Sequence, residues 1–151
     1  MKNEEAIGVL NDLIENCKDG EYGFRACAEH TKRDDIRSLL LQRADECALA
    51  ARELQAHVTE LGGRPDDRGT AAGALHRGWV AVRGTLSGYT DLAMLEECER
   101  GEDAAVARYR RALEKQDLPA NLRATVQRQY EGALRHHDQV RNLRNSLRTT
   151  A

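Results

Sequence analysis

The chain has 151 residues, with two prolines, one Phe and one Trp, and its 23 Lys and Arg against 25 Asp and Glu give a formal net charge of -2. This length fits a single domain spanning residues 1–151, and the scarcity of proline and aromatic residues favours an all-α protein with an aliphatic core. Because the charges are interleaved and no apolar run approaches the ~18 residues of a membrane span, we expect a cytoplasmic protein with no nucleic-acid or membrane partner.

Two long helices are predicted in the first part of the chain. Apolar residues at spacings of three and four indicate a helix over 3–30, with Asn3 as its N-cap, and a second over 34–62, capped by Asp34 or Asp35. The polar stretch TKRDD between them is short, so the two helices must form an antiparallel hairpin. Their apolar faces contain Ile7, Leu10, Ile14, Cys17, Phe24 and Ala28, followed by Ile36, Leu40, Cys47, Leu54, Val58 and Leu61.

The next segment is bounded by Gly and Pro residues and predicts an additional helix. Thr70 caps this helix over 70–87, which is long enough to carry the chain back along the bundle as a crossover. Its apolar face includes Trp79, the only Trp of the chain. Such a face must be covered, and we therefore expect a homodimer that associates through the crossover helix.

Two further helices complete the predicted bundle. Thr90 caps a helix over 91–115, and Pro119 stands in the first turn of a helix over 119–147. The expected fold is an antiparallel four-helix bundle with an additional helix in the long crossover between the second and third bundle helices.

Two carboxylates interrupt the apolar faces. Glu102 lies on the inward face of the third bundle helix, where a carboxylate is costly unless it is paired, protonated or bound to a metal. Glu21 occupies such a position on the first helix, between Gly20 and Gly23. The glycines indicate either a close helix contact or backbone room beside a site.

Four cysteines fall inside helical patterns and form no CxxC pair. We interpret them as buried reduced thiols that act as small apolar side chains, with metal ligation or a redox disulfide as alternatives. Cys17 and Cys47 are the pair expected at one level of the first hairpin. The other two are Cys27 and Cys98.

The segments LNDLIENCKDGEYGFRACAE, GTAAGALHRGWVAVRGTLSG and ERGEDAAVARYRRAL resemble an uncharacterised, mainly proteobacterial family of ferritin-like four-helix-bundle proteins. The resemblance covers nearly the whole chain, and its most specific part is Leu75-His76-Arg77-Gly78-Trp79. It implies a bacterial protein with the ferritin-like fold. It implies no particular chemistry, because the family is itself of unknown function.

The ferritin-like superfamily offers a template for a metal site, with one Glu from each of two helices and a Glu-x-x-His pair from each of the others. Counting residues from the turns places Glu21, Glu46 and Glu102 near one height, so we expect their carboxylates to converge. Both Glu-x-x-His pairs are missing, since Glu46 is followed at i+3 by Leu49 and the fourth helix offers Tyr130 at this level, with Gln127 and Glu131 nearby.

This set leaves two alternatives open. Glu21, Glu46, Glu102 and Tyr130 could bind a divalent metal, iron or manganese, through oxygen atoms. The carboxylates could instead be satisfied by hydrogen bonds from Tyr, Gln and Arg neighbours, which we favour because the imidazoles are absent.

Glu53, His57 and His137 are also possible metal ligands, but simpler interactions explain them. Glu53 and His57 are four residues apart and are expected to make a surface interaction, and His137 is expected to be a hydrogen-bonded histidine.

The preferred function is that of a non-catalytic helical bundle without a cofactor, acting as a stress-associated interaction protein. The alternative is a protein that binds or oxidises iron at the carboxylate cluster.

Overall fold

The computed structural model of the protein describes residues 1–65 and 88–150, and these ranges contain four α-helices and no β-strand. The helices are α1 (Asn3–Glu29), α2 (Asp34–Glu60), α3 (Asp91–Leu113) and α4 (Ala120–Thr150). The predicted all-α four-helix bundle is confirmed, with helix ends shifted by a few residues. The additional helix predicted over 70–87 lies outside the described residues.

The helix starts agree only partly with the predicted caps. Thr90 caps α3 as predicted, because its Oγ1 accepts a hydrogen bond from the backbone N–H of Ala93 at 3.1 Å. Asn3, Asp34 and Asp35 were wrong as caps, since all three lie inside their helices, whose N-cap residues are Lys2 and Arg33. Acidic side chains in the first turn of α2 stabilise its positive end instead.

A side chain from α3 fixes the turn between α1 and α2. The Asp91 carboxylate accepts hydrogen bonds from the backbone N–H groups of Lys32 (2.7 Å) and Arg33 (3.1 Å). The start of α3 is therefore held against the start of α2, and these two helices run in the same direction.

The helix pairs α1–α2 and α3–α4 are antiparallel. Arg25 on α1 contacts Asp45 on α2, and Tyr109 on α3 contacts Gln129 on α4. Because α2 and α3 are parallel, the end of α2 and the start of α3 lie at opposite ends of the bundle, and residues 61–90 connect them.

The buried side chains form two apolar clusters along the bundle. One contains Leu10, Leu13, Ile14, Leu54, Val58, Leu122 and Val126, and the other contains Phe24, Ile36, Leu40, Met94, Leu95 and Val140. Burial of this aliphatic surface is the main force that holds the helices together. Within the described residues, none of the helices is apolar enough over a sufficient length to cross a membrane.

Candidate functional site: an internal ion pair beside a thiol-lined cavity

The unexplained carboxylate of Glu102 is paired with an arginine. Glu102 has 0% relative exposure, and its Oε1 accepts a hydrogen bond from Nε of Arg43 at 2.6 Å. A second bond joins Nη2 of Arg43 to Oε2 at 3.3 Å. Burial alone would lower the pKa of Arg43, but the negative charge of its neighbours, including Glu102, raises it, so the guanidinium stays charged. The pairing links α2 to α3 inside the bundle.

Arg43 is the site residue that the sequence analysis missed. It stands three residues after Leu40 and four before Cys47, which is an inward position of α2 that the apolar pattern leaves vacant. A positive side chain in that gap, on a helix facing Glu102, is the signal that could have identified it. The guanidinium also lies 5.5 Å from the centre of the Phe24 ring, a distance at which a cation–π contact is favourable.

The ion pair lies close to where the two apolar clusters meet. On α3, Glu102 falls between Cys98 of one cluster and Val106 of the other. On α2, Arg43 stands beside Leu40, Ala44 and Cys47 of one cluster, and Ala51 of the other cluster follows about one turn after Cys47. The charged pair is therefore surrounded by apolar side chains on both sides, where its attraction is weakly screened and an unpaired member would be costly.

The other predicted site residues have separate partners. Glu21, whose side chain is 34% exposed, lies 3.8 Å from Arg25 on its own helix. Glu46, 36% exposed, contacts the imidazole of His136 on α4. Tyr130 is half-buried and packs against the first cluster.

The expected convergence of Glu21, Glu46 and Glu102 is therefore not found. Among residues 1–65 and 88–150, no group of three or more His, Cys, Asp or Glu side chains is arranged to hold a metal ion. Counting residues from a turn fixes the height of a side chain along the bundle but not the direction in which it points. Glu21 and Glu46 are partly exposed and pair with other residues, so their carboxylates do not join that of Glu102.

A hydrogen-bonded chain crosses the bundle next to the ion pair. The Tyr109 hydroxyl donates to Oε1 of Gln129 at 2.9 Å and lies 3.3 Å from the Cys17 sulfur. Gln129 in turn donates from Nε2 to Glu53 at 2.8 Å. The amide that enters the interior from α4 is therefore Gln129, whereas Gln127 is exposed and bonds to Glu131.

The expected interaction between Glu53 and His57 is replaced by separate contacts of each residue with α4, whereas His137 is hydrogen-bonded as expected. Glu53 pairs with Arg128 and Gln129 on α4. His57 bonds through Nε2 to the Thr125 hydroxyl at 2.9 Å, and His137 bonds to Asp103 at 2.6 Å.

A cavity of about 220 Å³ lies between α1, α2 and α3. All four cysteines line it, together with Arg43 and Tyr109. Gly20 and Gly23 also line it, and Gly20 makes the close contact with α2 that was one of the two alternatives. A Cβ atom on Gly20 would lie 3.0 Å from the Cys47 sulfur, a contact tight enough to displace the thiol.

The thiols in this cavity are free, and burial raises the pKa of three of them. Burial raises the pKa of Cys17 to about 11, although a hydrogen bond with Tyr109 and the charge of Arg43 act in the opposite direction. Burial likewise raises the pKa of Cys47 and of Cys98, and a hydrogen bond with Cys27 adds to the effect at Cys98. Thiols with a raised pKa are weak nucleophiles at neutral pH. The thiols of this cavity therefore act as apolar, polarisable side chains rather than as reactive groups.

Comparisons with known proteins agree with this fold. The sequence matches a domain of unknown function, DUF2383, over residues 5–115. No protein of curated function matches the sequence.

Two solved structures from Mycobacterium smegmatis are similar to this chain. A mutant of Dps1 superposes with a TM-score of 0.76 at 13% identity, covering 93% of this chain and 95% of that chain. The tetragonal form of Dps superposes with a TM-score of 0.78 at 14% identity, covering 93% and 86%. At such identities the similarity shows the ferritin-like four-helix-bundle fold and nothing more specific.

Proposed function

Because this chain belongs to the DUF2383 family, a domain of unknown function, we propose its role from its own residues. It is a non-catalytic ferritin-like bundle that acts by associating with other protein chains, first of all with a second copy of itself. The observation that carries this proposal is the exposed apolar surface of the α1–α2 hairpin.

Three large apolar side chains are exposed among the described residues, and all three belong to this hairpin. Leu49 on α2 is 59% exposed, Leu41 on α2 is 38% exposed, and Tyr22 on α1 is 49% exposed. Leu41, Asp45 and Leu49 follow one another at intervals of four residues, so these three side chains share one face of α2. Clustered apolar side chains on a surface commonly mark a contact with another chain.

The charge between the leucines is neutralised within the chain. Asp45 accepts a hydrogen bond from Arg25 at 2.8 Å. A two-fold axis near Asp45 would place Leu41 of one copy against Leu49 of the other. In a two-fold symmetric dimer the same surface of each copy is in contact, so this residue pair occurs twice. Residues spaced by four form a ridge of the kind that interlocks in helix packing.

The interior supports a structural rather than a catalytic role. Arg43 already supplies the positive charge that Glu102 requires, and a cation at this carboxylate would have to displace it. The alternative metal site at Glu21, Glu46, Glu102 and Tyr130 therefore has an internal competitor. The four free thiols support the expected cytoplasmic location, where thiols stay reduced.

Sedimentation velocity tests the proposal. We expect a dimer for the wild-type protein at high micromolar concentration and a monomer for Leu49→Lys, with the dimer retained in Ala107→Lys, which adds the same charge to an exposed position of α3. A monomeric wild type would overturn the proposal. A dimer lost in Trp79→Ala but kept in Leu49→Lys would place the contact on the crossover instead, as the sequence first led us to expect.

A further inference from the structure

The cavity between α1, α2 and α3 is large enough for a small organic molecule. Its volume is about 220 Å³, whereas an engineered apolar cavity of roughly 150 Å³ in another protein takes up benzene. In proportion, about nine non-hydrogen atoms fit such a space. The walls include Ala104, which is exposed, and Arg108, which is half-buried, so the cavity opens at the surface of the bundle and a ligand can enter.

Most of the cavity wall is apolar or polarisable. The ring of Phe24 and the four thiols line it, and small residues form much of the remaining surface, including Gly20, Gly23, Gly101 and Ala105. Aromatic rings pack favourably against other rings and against sulfur atoms. The wall therefore fits a hydrocarbon body, above all one that contains an aromatic ring.

Two carboxylates give this wall negative charge. Asp19 on α1 and Glu97 on α3 line the cavity, and Oδ1 of Asp19 and Oε2 of Glu97 are buried. The cation near Glu97 is Arg100, at 3.9 Å, and its side chain is 65% exposed, so that solvent screens its charge. A carboxylate has about four acceptor positions, so a partner within the chain leaves positions for a ligand.

The arginines that line the cavity among the described residues already have acidic partners. Arg43 is paired with Glu102. Arg108 lies 3.6 Å from the Asp12 carboxylate and donates a hydrogen bond to the Asp12 carbonyl oxygen at 3.4 Å. The cavity wall therefore favours a ligand with a positive charge over one with a negative charge.

We propose that this cavity binds a small arylalkylamine, a molecule with one aromatic ring and one ammonium group on a short chain. The ring packs against Phe24 and the thiols. The ammonium donates a hydrogen bond to the Glu97 carboxylate, and Asp19 adds negative charge from α1. A buried ammonium is costly unless it is paired, and these carboxylates supply the countercharge.

NMR titration with three probes of nearly equal size tests this preference. Phenethylamine, phenethyl alcohol and phenylacetate carry a positive charge, no charge and a negative charge near pH 7. We expect phenethylamine to bind one site per chain about tenfold more tightly than phenethyl alcohol, because a hydrogen bond to an ionised group is roughly twice as strong as a neutral one. Phenylacetate should bind more weakly than either.

A matched pair of variants tests the role of the buried carboxylate. Glu97→Gln keeps the size of the side chain and removes its charge, so we expect it to bind phenethylamine and phenethyl alcohol about equally. Glu96→Gln removes the neighbouring carboxylate, which is a partner of Arg148, and should behave like the wild type. Circular dichroism checks that each variant retains its helices. If Glu97→Gln does not fold, the half-buried Asp19→Asn takes its place and should also reduce the preference for the amine.

The position of the bound probe can be read from one side chain. Phe24 is the only Phe of the chain, so the signals of its ring identify the cavity. Bound phenethylamine should show nuclear Overhauser effects to this ring. The proposal would be overturned by a wild type that does not bind phenethylamine, by equal binding of amine and alcohol, by an unchanged preference in the folded carboxylate variant, or by a bound amine without contact to Phe24.

Discussion

The guanidinium of Arg43 on α2 and the carboxylate of Glu102 on α3 meet inside the bundle through two hydrogen bonds, of 2.6 Å and 3.3 Å. Both groups are buried among apolar side chains, so the charge of each is compensated by the other where solvent screens little. This contact explains how a carboxylate can occupy an inward position of a helical bundle. The same contact implies that removing the charge of Glu102 should lower the stability of the protein.

Replacing Glu102 by Gln is expected to destabilise the protein. If the carboxylate had been crowded by Glu21 and Glu46, the same change would have relieved repulsion. With Arg43 as the partner, it leaves a buried guanidinium without a countercharge, and we expect a loss of about 3 kcal/mol of unfolding free energy. The control Glu96→Gln removes a half-exposed partner of Arg148 on the same helix and should cost less than about 1 kcal/mol.

Thermal unfolding with and without a chelator distinguishes an Arg43–Glu102 ion pair from a metal ion bound at Glu102. We expect the same melting temperature for the wild type with and without chelator. A melting temperature that falls on chelation in the wild type, but not in Glu102→Gln, would indicate a structural cation at this carboxylate.

The native thiols are expected to react slowly with alkylating reagents. Because burial raises the pKa of Cys17 to about 11, only about one molecule in a thousand carries its thiolate at pH 8. Iodoacetamide should modify the folded protein far more slowly than the protein unfolded in guanidinium. A cysteine introduced on the exposed face of α2, Ala56→Cys, provides the reference for a reactive thiol, and a native cysteine that reacts as fast as this one would contradict the buried assignment.

Tyr109→Phe tests the hydrogen-bonded chain beside the ion pair. The change removes only the hydroxyl that donates to Gln129 and contacts Cys17. Gln129 keeps its bond to Glu53, so we expect a moderate loss of about 1 kcal/mol, measured by urea unfolding. The exposed Tyr22→Phe should change stability less, and an equal effect at both positions would argue against this network.

The stability of the fold should depend on pH through Glu53. Burial acts to raise the pKa of this carboxyl, but the hydrogen bonds from Arg128 and Gln129 outweigh it and hold the pKa below its ordinary value. A lowered folded-state pKa means that the contribution is complete above the unfolded-state pKa and disappears as the pH falls through the folded value. The stability difference between wild type and Glu53→Gln should therefore shrink as the pH falls from 7 to about 3.

The exposed Glu114→Gln is the control for this pH series. Its stability difference from the wild type should change little over the same range. A difference that stays constant for Glu53→Gln would show that the contacts with α4 do not stabilise the charged carboxyl.

Periodicity was sufficient to predict the four helices because each has a continuous apolar face. Leu10, Ile14, Leu54 and Val58 were assigned to the core from spacing alone, and all are buried. The antiparallel hairpin followed from the short TKRDD connection.

The site could be predicted only in part, because spacing does not give orientation between helices. Glu102 was identified as an inward carboxylate, and Gly20 and Gly23 as possible neighbours of a site. Its partner Arg43 was missed, because an arginine on the inward face looks like an interruption of the pattern until the facing helix is known. Glu46 was placed at a suitable height, but its direction toward His136 depends on how α2 and α4 pack.

The most direct test of the central claim, that Arg43 rather than a metal ion neutralises Glu102, is a double-mutant cycle on chelator-treated protein. The unfolding free energies of Arg43→Met, Glu102→Leu and the double variant are compared with that of the wild type. We predict that each single variant loses about 3–5 kcal/mol and that the double variant loses much less than the sum, because replacing both charges by apolar groups leaves no unpaired ion. Additive losses, or an Arg43→Met variant as stable as the wild type, would contradict the account.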